Sequence, residues 1–266
     1  MLPRVNITRA TDADYLTFST DDLITRELYA KGVWGKGLID IAGMFCADID
    51  APFIIDVGAN FGGFAVPMAK RIGGRQGLVY AYEPQRVVCY QLCGNAALNR
   101  LDNLHAFNVA IGDTDGEILL PAIDYERSGN IGAFSLEPSL RRIMGAVATD
   151  DHAPSSPVTI QRLDSLEFPK ALDMIKIDVE GFELKVLRGA DTLLKNANFP
   201  PLLLEAWTAG WFADQRRALV DHLTALGYSS RFERGDELIA QHPHHPRQFT
   251  FAIEPTSQAV SMSRAR

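Results

Sequence analysis

Three apolar runs, Phe53-Ile54-Ile55-Asp56-Val57, Leu78-Val79-Tyr80-Ala81-Tyr82 and 104–111, recur at intervals of about 25–30 residues. Between them lie stretches of helical periodicity. Over 61–72 the residues Phe64, Ala65, Met68, Ala69 and Ile72 share one stripe, which Pro67 is expected to bend, and 85–99 carries Val88, Leu92 and Ala96 on its buried side. Short buried strands alternating with helices predict a parallel, doubly wound α/β sheet. The rhythm stops over 113–162, which is rich in glycine and proline and holds only short strand-like pieces at 117–122 and 158–163. This segment reads as an insertion of hairpins and loops after the third strand, over the ligand crevice. The rhythm resumes at 174–181. A helix over 182–196 follows, with Val186, Leu187, Ala190, Leu193 and Leu194 in phase, then Leu202-Leu203-Leu204 ending at Glu205. A helix over 213–226 and strands near 228–232, 237–240 and 249–253 complete the sheet. The division expected is a helical N-terminal cover (1–50), one catalytic domain (51–255, with 113–162 as its substrate-side insertion) and a loose tail (256–266).

Composition narrows the function. Hydrophobic residues make up 47% and charged residues 22%, which excludes a disordered chain. No apolar run approaches the ~18–20 residues of a membrane span. The first fifteen residues have no apolar core, so a signal peptide is not expected and the cytoplasm is the expected location. A net charge of −7, without a Lys/Arg-rich stretch, argues against a nucleic-acid binder. Cys46, Cys89 and Cys93 are too few and too odd in number for a disulfide framework.

The most informative stretch is Asp56-Val57-Gly58-Ala59-Asn60-Phe61-Gly62-Gly63, lying between a strand and a helix. A dinucleotide loop needs a second glycine, so that backbone can approach a pyrophosphate; here Asn60 holds that position. The loop still turns at Gly58 and packs closely at Gly62. Glu83, 25 positions after Gly58, ends the second strand, where an acid accepts hydrogen bonds from ribose hydroxyls. A nucleoside cofactor without a pyrophosphate meets both conditions, and S-adenosylmethionine is such a cofactor. Taken singly, Asp56, Asn60 and Glu83 are also ordinary capping and turn residues.

A second set of acids ends the later strands. Asp178 and Glu205 should stand side by side near the transferred group. There they would act as a base, or hold a divalent cation such as Mg²⁺, to help deprotonate a hydroxyl. Glu180 either joins them or caps the following helix through Gly181. Lys176, within an apolar strand, requires a partner, and Asp178 is two residues away on the same face. Trp207 and Trp211 follow the fifth strand, either stacking on an acceptor or packing the next helix. His242, His244 and His245 read as an exposed turn, and Cys89 and Cys93 as helix thiols rather than metal ligands.

In order, "FIIDVGANFGGFAVPMA", "VYAYEPQ", "NVAIGD", "VTIQRLDSL", "DMIKIDVEGFELKVLRGA" and "PLLLEAW" resemble the FkbM-type methyltransferases over about 50–207. The resemblance implies a Rossmann-like, seven-stranded class I methyltransferase sheet using S-adenosylmethionine. It also implies methyl transfer to a hydroxyl of a small molecule or sugar, such as a glycan, glycolipid or polyketide-type product. It places Asp56, Gly58, Asn60 and Gly62 on the cofactor loop, Glu83 on the ribose, Asp178, Glu180 and Gly181 on the family's signature after the fourth strand, and Asn130 near the acceptor. Beside it, the strand ends make Asp178 and Glu205 the expected catalytic pair, with Asn108 expected on the cofactor and Glu180 and Trp207 on the acceptor side. The segment KGVWGKG, 31–37, is similar to one that closes over the cofactor. The competing readings are a nicotinamide-dependent oxidoreductase, against which Asn60 argues, and a non-catalytic cofactor-binding protein. A base-flipping nucleic-acid enzyme would need a different motif where "DVEGFE" stands.

Overall fold

The computed structural model describes residues 3–19, 23–126, 130–145, 154–253 and 260–264. A hairpin of β1 (Val5–Arg9) and β2 (Asp14–Phe18) precedes helices α1 (Leu23–Lys31) and α2 (Lys36–Phe45). Next come β3 (Phe53–Val57), α3 (Ala65–Gly73), β4 (Leu78–Tyr82), α4 (Arg86–Leu98) and β5 (Leu104–Phe107). The insertion holds β6 (Ala110–Ile111), β7 (Gly116–Leu120), α5 (Pro138–Met144) and β8 (Ser156–Gln161). The second half runs through β9 (Met174–Ile177), α6 (Glu183–Arg188), α7 (Asp191–Asn196), β10 (Leu202–Glu205) and α8 (Ala213–Ala225). It ends with β11 (Ser230–Arg234), β12 (Glu237–Gln241), β13 (Phe249–Ile253) and β14 (Val260–Arg264).

The central sheet has the order β11-β12-β10-β9-β3-β4-β5. Strands β5, β4, β3, β9 and β10 are parallel; β12 runs antiparallel to β10, and β11 to β12. This is the class I methyltransferase arrangement that the resemblance implies. All five residues of β3 are buried. Phe53, Ile55 and Val57 enter one core with the helices of the second half, while Ile54 enters the other with α2 and α3. A strand covered on both faces is apolar throughout rather than alternating, which is how it reads in the sequence. Strand order reverses between β3 and β9, so their carboxyl ends frame a crevice.

Several expectations are corrected. The third strand ends at Phe107 rather than 111. Ala110–Ile111 leaves the central sheet and pairs with β8 in a separate sheet, β6-β8-β7. The turn-off is held by Asn108, whose side-chain amide donates to the carbonyls of Glu83 and Pro84, both at 2.9 Å. The insertion is therefore a small sheet of its own. Its strands β7 and β8 pair across an intervening segment that includes α5, and residues 127–129 and 146–153 of that segment lie outside the described residues. Pro67 falls in the first turn of α3, where its missing N–H is free anyway, so no bend is required. The N-terminal cover is a hairpin followed by helices, not helical throughout. Within the expected tail, Val260–Arg264 pairs with β13, while 256–259 and 265–266 lie outside the described residues.

The single helix expected over 182–196 is broken into α6 and α7 at Gly189. The periodicity is continuous, but packing overrides it. A Cβ on Gly189 would stand 1.9 Å from the carbonyl oxygen of Gly112, and the Gly189 carbonyl accepts the Asp164 N–H at 2.8 Å. Two backbones meet where no side chain fits. Gly189→Ala should therefore cost about 1–3 kcal/mol in urea denaturation. Gly74→Ala, where nothing lies within 4 Å, should stay within about 0.5 kcal/mol of wild type. Equal stability of the two variants would contradict the close approach.

Candidate functional site

A cavity of about 510 Å³ opens at the carboxyl ends of β3, β4, β9 and β10. Trp34 and Leu38 of the N-terminal segment border it on one side, and Asn130, Phe134 and Leu136 of the insertion on another.

The cofactor side is built from the loop after β3. The N–H groups of Gly58 and Ala59 both donate to the Tyr82 carbonyl at 3.0 Å, which locks the loop to the end of β4. Gly58 has φ +77°, and a Cβ there would lie 1.8 Å from the Asp178 carbonyl oxygen. Only glycine fits, on both counts. Asn60 is also left-handed, at φ +50°. Its N–H donates to Glu83 Oε2 at 2.9 Å, and the Gln85 N–H donates to Glu83 Oε1 at 2.8 Å. Each carboxylate oxygen keeps lone-pair capacity for a further donor. Burial pushes the Glu83 carboxyl up to about 7, against the pull of those two N–H groups.

Behind this wall Asp56 is wholly buried. Its Oδ1 lies 3.2 Å from Lys176 Nζ, and the same ammonium lies 3.1 Å from Asp178 Oδ2. Burial alone would lower the Lys176 pKa, but Asp178 and Asp56 outweigh it and raise it, so the lysine is charged.

Asp178, Glu180 and Glu205 each present an oxygen within 4.8 Å of the others. Glu205 also stands opposite Glu237 across the antiparallel β10/β12 pair. Its Oε2 is enclosed without a hydrogen-bond partner, while the Trp207 indole N–H donates to the carboxylate. Burial, then the nearby charge of Asp178, pushes Glu180 up to about 9 and Glu205 well above the ordinary carboxylate range. Glu180 and Gly181 are consecutive left-handed residues, at φ +56° and +93°, and turn the chain from β9 into α6. Glu180 does not cap that helix. No side chain does; Glu183, the first residue of α6, instead braces the turn before it, its Oε1 accepting the N–H groups of Val179 at 3.0 Å and Gly181 at 3.1 Å.

The structure thus brings Gly58, Asn60, Glu83, Asn130, Asp178, Glu180 and Glu205 to one cavity wall. It leaves Asp56, Gly62, Asn108 and Trp207 behind that wall. Asn108 spends its amide on the Glu83-Pro84 turn, Gly62 makes room for Leu92 and Val66, and Trp207 packs with Trp211 and Phe212. His242 is buried and stacks on Phe199 at 3.9 Å, so it is not part of an exposed turn. Among the described residues the only group able to ligate a metal is the acidic trio, so the histidines form no such set. Cys46, Cys89 and Cys93 are free thiols.

Two wall residues escape sequence reasoning. Gln85 is buried, donates to the Ile131 carbonyl at 3.1 Å, and keeps its Oε1 without a partner. Its place directly after Glu83-Pro84 was the available signal. Glu237 has none, because its position opposite Glu205 depends on an antiparallel register.

The profile of the methyltransferase FkbM domain matches residues 56–230. The chain belongs to the FkbM methyltransferase family. This FkbM-type enzyme is an S-adenosylmethionine-dependent methyltransferase. It is 27% identical to methyltransferase sdnD of Sordaria araneosa over 243 residues, covering 79% of this chain and 86% of that one. It is 26% identical to methyltransferase 1 of Beauveria bassiana over 163 residues, covering 55% and 63%. A crystal structure of methyltransferase FkbM from Methylobacillus flagellatus superposes with a TM-score of 0.47 at 17% identity, over 72% of this chain and 43% of that one. No helix among the described residues is long and apolar enough to cross a membrane.

The raised Glu180 carboxyl sets a pH dependence. Its folded value, about 9, exceeds the ordinary 4.5, so its contribution to stability is complete below pH 4.5 and is lost as pH rises toward 9. Glu180→Gln removes that loss. The melting temperature of the variant should match wild type near pH 4.5 and exceed it by about 2–4 °C at pH 9. Parallel pH profiles for the two proteins would show that Glu180 ionises without penalty.

Proposed function

We propose that this FkbM methyltransferase transfers the methyl group of S-adenosylmethionine to a hydroxyl oxygen of a sugar or other small molecule. The observation that carries this reading is the carboxylate trio on the same cavity wall as the glycine loop, with a lysine ammonium fixing one oxygen of Asp178. The family match sets aside the nicotinamide oxidoreductase and the non-catalytic binder.

The residues present fit the cofactor. Glu83 offers two oriented oxygens to ribose hydroxyls. Gln85 Oε1, buried and unpartnered, is an acceptor in need of a donor such as a ribose hydroxyl or an adenine amine. The acids suit a cationic ligand. S-adenosylmethionine, when bound, supplies a methyl group on a sulfonium, already an electrophile. The remaining work for the protein is to align an oxygen and take its proton.

Asp178 is the proposed base. Lys176 holds its Oδ2, which leaves the other oxygen to accept the hydroxyl proton. Glu205 and Glu180 stand within 4.8 Å of it, and burial with the Asp178 charge makes both hold protons more readily than ordinary carboxyls, so Asp178 is the member of the trio left to act as base. Gly58 and Asn60 set the loop on which the nucleoside lies, and Asp56 acts from behind the wall by anchoring Lys176. Asn130 stands on the acceptor side, while Trp207 supports Glu205 rather than touching the acceptor. The trio also favours a second reading, in which Asp178, Glu180 and Glu205 hold a divalent cation that lowers the hydroxyl pKa.

Asp178→Asn should bind S-adenosylhomocysteine within about threefold of wild type, while turnover on an acceptor panel falls about 100- to 10,000-fold. Unchanged turnover removes Asp178 from the chemistry. Loss of activity with chelator and rescue by Mg²⁺ would select the cation reading; indifference to chelator would select the base.

A further inference from the structure

Gln85 joins the cofactor side of the cavity to the insertion. Its backbone is fixed at the start of α4, where its N–H donates to Glu83 Oε1 at 2.8 Å. Its side chain lines the cavity and is only 5% exposed. The amide Nε2 donates to the Ile131 carbonyl at 3.1 Å, across 46 positions of the chain. The Oε1 of the same amide is enclosed and has no partner. The reverse orientation would set two oxygens against each other at Ile131, so that contact allows the amide one orientation.

The segment it holds is part of the cavity wall. Asn130, Gly132, Phe134 and Leu136 all line the cavity. Residues 130–134 form a tight turn, in which the Ala133 N–H donates to the Asn130 carbonyl at 3.2 Å and the Phe134 N–H to the Gly132 carbonyl at 2.8 Å. The turn also lies against the cofactor loop, since a Cβ on Gly132 would stand 2.0 Å from Asn60 Nδ2. The Ile131 side chain is buried in a small cluster with Phe18 of β2 and Val88 of α4, apart from the two main cores. Asn60 and Gln85, whose side chains meet the turn, are the same two residues whose N–H groups Glu83 accepts.

A buried amide paired at one end and empty at the other is costly. Its Oε1 gains a donor in one of two ways. Either the side chain swings off Ile131 and gives up the existing bond, or a ligand supplies the donor. The nucleoside proposed to lie on Glu83 brings hydroxyl and amine donors to this stretch of wall. A donor on Oε1 removes the reason to swing and strengthens the bond from Nε2 to the turn.

We infer that Gln85 is a positioning residue. The bound nucleoside satisfies its Oε1, and its Nε2 thereby fixes the 130–134 turn as the acceptor-side wall of the cavity. This rests on the proposed seat of the nucleoside at Glu83. By linkage, whatever factor the cofactor adds to the hold on the turn, the turn adds to the hold on the cofactor.

The test uses the full chain and S-adenosylhomocysteine. Calorimetry on Glu83→Gln comes first, and binding at least about tenfold weaker than wild type is expected. Unchanged affinity would strike the seat itself, and the inference with it. Hydrogen exchange then follows the amides of Ala133 and Phe134. Saturation with S-adenosylhomocysteine should slow them at least about fivefold in wild type and less than about twofold in Gln85→Met, each protein being saturated. Ile131→Ala, outside the cavity lining, separates coupling from a general loosening of the fold. It should weaken S-adenosylhomocysteine at least about threefold in the wild-type background and leave its affinity unchanged in the Gln85→Met background. Equal protection in wild type and Gln85→Met, or Ile131→Ala and Gln85→Met effects that simply add, would overturn the inference.

Discussion

One ammonium group organises the carboxyl edge of this sheet. Lys176 is the third residue of β9, a strand whose four residues are all buried. There it bridges Asp56 at the end of β3 and Asp178 just past the end of β9. An unpaired charge in that position would be prohibitive. The bridge ties the strand that launches the cofactor loop to the strand that launches the acidic turn. The Gly58–Asp178 backbone approach repeats the tie at the level of main chain, since the loop can lie against β9 only because position 58 has no Cβ.

From that fixed edge the remaining chemistry follows by parallel-strand geometry. Three of the four crevice strands end in an acid or directly before one: Glu83 after β4, Asp178 after β9, Glu205 on β10. Parallel strands deliver these carboxylates to one side. The antiparallel β12 brings Glu237 to the same place from the opposite chain direction. Raised carboxyl pKa values here reflect crowding and burial, not isolation. That is the electrostatic state expected of a wall meant to receive a cation, a proton or a hydroxyl donor.

Much of this was legible in the sequence because the strands of the crevice are short, apolar and closed by an acid or a glycine. The loop 56–63, Glu83, Asp178 and Glu205 could be placed by counting strand ends alone. What stayed hidden depended on contacts between distant segments. The break at Gly189 needs the Gly112 carbonyl, 77 positions away in the chain. Asn108 resembles a cofactor residue until its amide is seen holding the Glu83-Pro84 turn. Glu180 and Glu183 both fit a helix start, and only the structure shows that neither caps it and that Glu183 braces the turn before α6. Glu237 lies in a part of the chain where no motif marks it, and register alone brings it to the wall.

The most direct measurement of this account is the unfolding free energy of Lys176→Met beside that of the double variant Asp56→Asn/Lys176→Met, by urea denaturation. If one buried ammonium holds the acidic edge together, Lys176→Met leaves the Asp56 carboxyl buried without its partner, to be held there unpaired or protonated, and loses about 3–5 kcal/mol. The double variant, free of that carboxyl, should recover much of the loss. A Lys176→Met protein as stable as wild type, or a double variant no better than the single one, would contradict the account.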